Sequence, residues 1–322
     1  MKLSDSVPEM GTILTHTDMQ ASARESNVLW GFSRESAGAE RRATPWWLWW
    51  NILSLDAPAV AVVWAALFAR AEGSRLPASE AIALLLSVWI IYTSDRLLDG
   101  WTTRNRAALQ ERHLFGERHR LALAGLVFAA SGIVLWLMAD RALVADAIAG
   151  VKLGVILVLY MAGIHAGRGK IAWLLPKEIS VGILFALGTT LPLWSRDAGI
   201  SWREILPWGF FGLLCSLNCL SIECWENHRE GIAWRQPPHP FVRWAYARLN
   251  RIAAILASGS LAAYFVGEAG GRIAAALLTV CAGALLILLL NRARTKISAS
   301  ALRVLADVAL LVPALVALAI RS

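Results

Sequence analysis

After about 43 polar residues, the chain becomes a succession of long apolar runs separated by short basic segments. The runs are roughly Trp47–Phe68, Ala81–Ser94, Leu121–Met138, Val144–Ile164, Ile179–Trp194, Ile205–Ile222, Ile252–Val266, Ile273–Leu290 and Val304–Ile320. Most approach the ~20 residues that a helix needs to cross ~30 Å of hydrocarbon. A membrane barrel would show ~10-residue segments of alternating polarity between turns. These runs are longer and do not alternate, so the pattern predicts an all-α, polytopic bundle of about nine transmembrane helices. The first 43 residues are rich in Ser, Glu and Arg and hold no apolar stretch of the signal-peptide kind. They read as a disordered cytoplasmic tail ahead of a membrane domain over residues 44–322.

Composition strengthens this picture. Apolar residues make up 57% of the chain and charged residues only 17%, against ~25% charged in a soluble domain. The net charge of +8 does not point to nucleic acid, because the basic residues lie between the runs. With the tail inside, 23 basic residues fall on inside segments and seven on outside ones. Cytoplasmic loops carry such an excess, so the expected topology is N-terminus inside and C-terminus outside, in the cytoplasmic membrane. Most of the 16 Trp flank runs, as an interfacial aromatic belt does. Trp89, Trp136 and Trp225 are deeper or beside acids and are possible pocket residues. The four cysteines form no CxxC pair and read as small packing residues.

Candidate chemistry gathers in two places. Asp95 and Asp99 lie four apart at the inside end of the second run, hence on one helical face. Glu223, Glu226 and Glu230 do the same at the inside end of the sixth, with Asn218 deeper in that run. Both runs cross in the same direction, so the two acidic ends meet at one membrane face. Facing clusters of like charge repel unless cations lie between them. Carboxylates of this kind suit Mg²⁺, which binds through a few acids plus substrate phosphates. Arg96, Arg104, Arg106, Arg112, Arg118 and Arg120 lie around the first cluster, Arg229 and Arg235 around the second, with His113 and His228 nearby. Arginine and Mg²⁺ together describe a diphosphate site.

On these residues the chain resembles the UbiA superfamily of intramembrane prenyltransferases. Ile91-Tyr-Thr-Ser-Asp95-Arg-Leu-Leu-Asp99 is similar to the last two acids of that family's NDxxDxxxD motif, with Ile91 and Tyr92 where its leading Asn and Asp stand. Glu226-Asn-His-Arg-Glu230 resembles the second, DxxxD motif with Glu for Asp. Glu223 with Asn218 or Glu226 is an alternative match. Lys177 resembles a basic residue that many members place before the fifth helix, and the stretch Gly182 to Gly188 that follows is also family-like. The resemblance implies two four-helix halves with a ninth helix. It implies Mg²⁺-dependent transfer of an isoprenyl group from its diphosphate to a small lipophilic or aromatic acceptor. It makes Asp95, Asp99, Glu226, Glu230 and Lys177 catalytic, and Tyr92, Asn218, Arg96, Arg104, Arg229 and Asp56 substrate-binding. Metal ligands would be Asp95, Asp99, Glu223, Glu226 and Glu230.

Three further ionisable residues lie in or beside runs: Asp56, Lys152 and Glu178. A charge in hydrocarbon costs at least ~2.5–3.5 kcal/mol, so it faces a cavity or a partner. Asp56 precedes Pro58, which allows a broken helix with freed carbonyls. Broken helices also occur in transporters, so a transporter or a non-catalytic membrane protein is the alternative reading.

Overall fold

The structure, a computed structural model, describes residues 45–102, 115–116, 118–139, 144–166, 176–195, 201–229, 239–266 and 273–320. Asp99 lies in a helix whose side chains are described only up to residue 98, and the Arg229 side chain is likewise undescribed. Arg104 and Glu230 lie outside the described residues.

All regular structure among the described residues is helical. A 3-10 turn at Trp46–Leu48 leads into α1 (Trp49–Ile52) and α2 (Asp56–Ala71). The chain continues through α3 (Ala78–Thr102), α4 (Arg120–Met138), α5 (Val144–Ala166), α6 (Lys177–Thr189) and α7 (Leu191–Trp194). Then follow α8 (Trp202–Arg229), α9 (Pro240–Tyr246), α10 (Leu249–Val266), α11 (Ala274–Ala293) and α12 (Ala299–Ile320).

Among the described residues, α3, α4, α8, α10, α11 and α12 are each long and apolar enough to cross a membrane. The bent pair formed by Trp46–Ile52 and α2 makes a seventh if counted as one span. The chain is therefore an integral membrane protein of helical class. Every one of the nine apolar runs is helical, and among the described residues six or seven spans meet the length and apolarity needed. The fifth run falls short because its helix opens on the charged pair Lys177-Glu178 and is interrupted at Thr190, ahead of Pro192.

Helix α8 is the axis of the bundle, packed against α6, α10, α11 and α12. The core along it holds Trp64, Phe68, Phe211, Leu214, Val280 and Ile287, all essentially buried. Trp64 stacks on Phe211 with ring centroids 4.3 Å apart, and its indole N–H donates to the Leu310 carbonyl at 3.0 Å. A buried indole thus satisfies its one donor. Helices α6 and α8 meet through small residues: Gly182 and Ala186 on one, Gly212 and Ser216 on the other. Small residues four apart let membrane helices approach closely, which is how they gain packing where lipid offers no hydrophobic drive. By contrast, α4 turns Leu121, Phe128, Leu135 and Trp136 outward. Trp136 is thus a lipid-facing side chain, not a pocket residue.

The break between α1 and α2 bends the chain by 77° and passes through Ser54 at φ 58°. Such a joint frees carbonyls that lipid cannot satisfy. Helix α3 supplies the donors: the Trp89 indole N–H bonds the Leu53 carbonyl at 3.0 Å, and the Arg96 guanidinium bonds the Ile52 carbonyl at 2.8 Å. The Asp56 carboxylate then opens α2, accepting from the Ala57 backbone N–H at 2.9 Å. The Asp56-Ala-Pro58 sequence marks this break, as its chemistry suggests.

Candidate functional site

One group of charged residues lies at the end where α2, α6, α10 and α12 begin and α3, α8 and α11 finish. Three sets of contacts build this end. Lys177, first residue of α6, pairs with Glu223 on α8 at 3.8 Å. One helical turn on, Glu226 accepts from the Arg303 guanidinium of α12. Deeper in the bundle, the Asn218 amide of α8 donates to Asp307 of α12 at 2.9 Å. On α12, Arg303 and Asp307 are four apart, and the groups they meet on α8, Glu226 and Asn218, are eight apart, each pair along one side of its helix. The two helices therefore carry matched polar faces through an apolar interface.

Arg303 is 7% exposed, and a cation so placed needs an anion and hydrogen bonds. Glu226 supplies both, as one of the residues expected to hold a metal. Tyr92, half-buried on α3, lies within electrostatic reach of Asp56, Asp307, Cys215 and Cys219, with its ring edge-on to Phe185 at 6.4 Å. Asp95 lies one turn beyond Tyr92 toward the same end and is partly buried. Glu178, next to Lys177, is buried with its Oε2 lacking a hydrogen-bond partner.

Of the residues singled out from sequence, Lys177, Glu223, Glu226, Asn218, Tyr92 and Asp56 come together in this polar column. Arg96 has a different use from the diphosphate contact expected of it, since one of its N–H groups closes the α1–α2 break. Asp146 accepts from the Ser195 hydroxyl, which ties α5 to the end of α7. Cys215, Cys219, Cys224 and Cys281 are free thiols in or beside the core. Trp225 is buried and donates to Asn291 at 2.8 Å. That asparagine in turn donates to Asn250 and accepts from Arg294.

Beside this asparagine network is a polar pocket of about 320 Å³ lined by Tyr246, Arg248, Arg251, Asn291 and Arg294, among others. Among the described residues no carboxylate lines it. Burial pushes the Tyr246 phenol up, and the neighbouring Arg294 charge opposes that shift.

The fit to Mg²⁺ is limited. Among the described residues no three His, Cys, Asp or Glu side chains gather as a metal group. Glu223 and Glu226 each face a basic side chain instead. Sequence reasoning missed Asp307, Arg303 and Asn51. A lone Asp in the last apolar run was the available signal, since an acid in hydrocarbon always needs a partner.

No family model, curated protein or solved structure matches the chain.

Proposed function

We propose that the chain is an intramembrane transferase that takes an isoprenyl group from a prenyl diphosphate and passes it to a small lipophilic or aromatic acceptor. The observation that carries this reading is the convergence of Lys177, Glu223, Glu226, Arg303 and Asp95 on one end of an apolar bundle. A prenyl diphosphate has the same two-part chemistry: a charged head for such an end and an apolar tail for the helices. In this reading Lys177 and the arginines of the charged end bind the diphosphate oxygens. They favour the charge that develops there as the C–O bond ionises. Glu223 and Glu226 hold those cations in place until the anion arrives. Tyr92 and Phe185 offer aromatic faces toward the allylic carbon. Mg²⁺ belongs to the proposal through Asp95 and Asp99 with substrate oxygens; it would neutralise the leaving diphosphate. The charged end faces the cytoplasm in this proposal, with nine helices crossing a cytoplasmic membrane.

The test is incubation of membranes holding the protein with labelled prenyl diphosphates of several lengths, followed by analysis of lipid extracts. A new prenylated product is expected, absent from Lys177→Ala membranes and reduced at least ~100-fold in Asp95→Asn, as loss of a charge-stabilising group usually gives. No product with any donor, or equal product from both variants, would overturn the reading.

A second reading is supported by the 77° break beside buried acids. Ion-coupled transporters are built on such joints. Uptake of a solute into vesicles, with no consumption of prenyl diphosphate, would favour it.

A further inference from the structure

The start of α2 and the middle of α12 bring two carboxyl groups together inside the bundle. Asp56 is 7% exposed. Asp56 and Asp307 both line a cavity of about 10 Å³, room for about one water. Two ionised carboxylates at that range in a low-dielectric setting repel strongly, so such pairs hold a proton between them.

The surrounding donors show where the proton resides. Both Asp56 oxygens already accept N–H bonds, one from the Asn51 amide and one from the Ala57 backbone. Asp56 also sits in the first turn of α2, where the helix dipole favours negative charge. Asp307 accepts the Asn218 amide on its Oδ1, and its other oxygen is the one placed to carry a hydrogen toward Asp56. The same Asn218 amide, itself 7% exposed, has its Oδ1 buried without a hydrogen-bond partner.

We infer that Asp56 and Asp307 form an intramembrane proton-binding site, in which one shared proton locks the broken joint between α1 and α2 to helix α12. The other ionisable groups around the pair are Tyr92 from α3, Cys215 and Cys219 from α8, and Arg303 on α12 itself. Lys177 and Glu178 of α6 act on Cys219, farther out. Arg303 is engaged by Glu226, so it does not substitute for the proton. The inference does not depend on prenyl transfer.

The sign of its pH dependence follows. The folded state holds a proton that the unfolded chain releases above the ordinary Asp value of about 4. Stability is therefore greatest at low pH and falls as the shared proton is lost on alkalinisation.

The experiment uses the full chain in lipid nanodiscs. Infrared difference spectra should show a protonated-carboxyl C=O band at neutral pH. It should be lost in Asp307→Asn and in Asp56→Asn but kept in Asp95→Asn. If the variants fold poorly, the wild type alone decides. Its Tm should fall as the pH is raised above the ordinary Asp value of about 4. Absence of the band together with a flat Tm over that range would overturn the inference. So would selective stabilisation by sodium over potassium that disappears in Asp307→Asn, because the pair would then hold a metal ion and not a proton.

Discussion

Arg303→Ala should destabilise the folded bundle by about 3 kcal/mol, near the lower end of the cost of breaking a buried ion pair. The arginine is 8% exposed and its partner Glu226 20% exposed, so water can partly rescue the abandoned carboxylate. That exposure sets the estimate low in the range. The cost arises because Glu226 is left without its cation beside an apolar interface, not because the ion pair itself is strongly favourable. A second variant separates the two explanations. Replacing both residues, Arg303→Leu with Glu226→Leu, should recover most of the lost stability, since two well-packed apolar groups often match a buried pair. Unfolding in mixed micelles measures both. A single-variant loss below about 1 kcal/mol would place the pair among solvated surface bridges.

Gly182→Leu should be at least as damaging. A Cβ on residue 182 would lie 2.1 Å from the Ser216 hydroxyl oxygen, 2.5 Å from its backbone nitrogen and 2.7 Å from its Cα. A hydroxyl can rotate away, but the backbone of α8 cannot move without disturbing its packing with α11 and α12. Overpacking usually costs about 1–3 kcal/mol, and contact with the α8 backbone at Ser216 puts this site at the upper end or beyond. Gly182→Ala should show a large part of the effect. Gly154 on α5 provides the control, because a Cβ there meets nothing within 4 Å. Gly154→Ala should be neutral or stabilising by up to about 1 kcal/mol through its better helix propensity. Equal effects at the two glycines would mean that α6 and α8 are not in close contact.

Both effects bear on what the sequence reveals. Apolar runs determine where helices form, and so all nine runs are helical. Whether a run makes a complete span depends on its ends, and Lys177-Glu178 with the interruption at Thr190 shortens the fifth. The broken first helix is readable from Asp56-Ala-Pro58 because proline and an acid are costly in the middle of a span. The partners that close the break, Trp89 and Arg96, are not readable, since adjacency of α3 to the joint is a tertiary fact. The same holds for Arg303 and Asp307. Their four-residue spacing is visible along α12, but their pairing with Glu226 and Asn218 exists only once α8 and α12 pack. Periodicity identifies the face of a helix and does not identify the helix opposite it.

The polar column also changes how the acidic motifs are understood. Glu223 and Glu226 look like metal ligands when only their spacing is considered. In the fold each has a basic neighbour from another helix, which gives the charged end a balanced set of charges. An arriving anion can compete for Lys177 and Arg303, whereas an arriving cation must compete with them. Anion binding at this end is therefore the central claim.

Equilibrium binding of a prenyl thiolodiphosphate to the purified protein tests it most directly, with Lys177→Ala and Glu223→Gln measured alongside the wild type. The account predicts saturable binding that weakens about 10-fold or more in Lys177→Ala, the cost of one charge-assisted hydrogen bond. It predicts equal or tighter binding in Glu223→Gln, because that change releases Lys177 to the ligand. Binding that is unaffected by Lys177→Ala and lost in Glu223→Gln would contradict it.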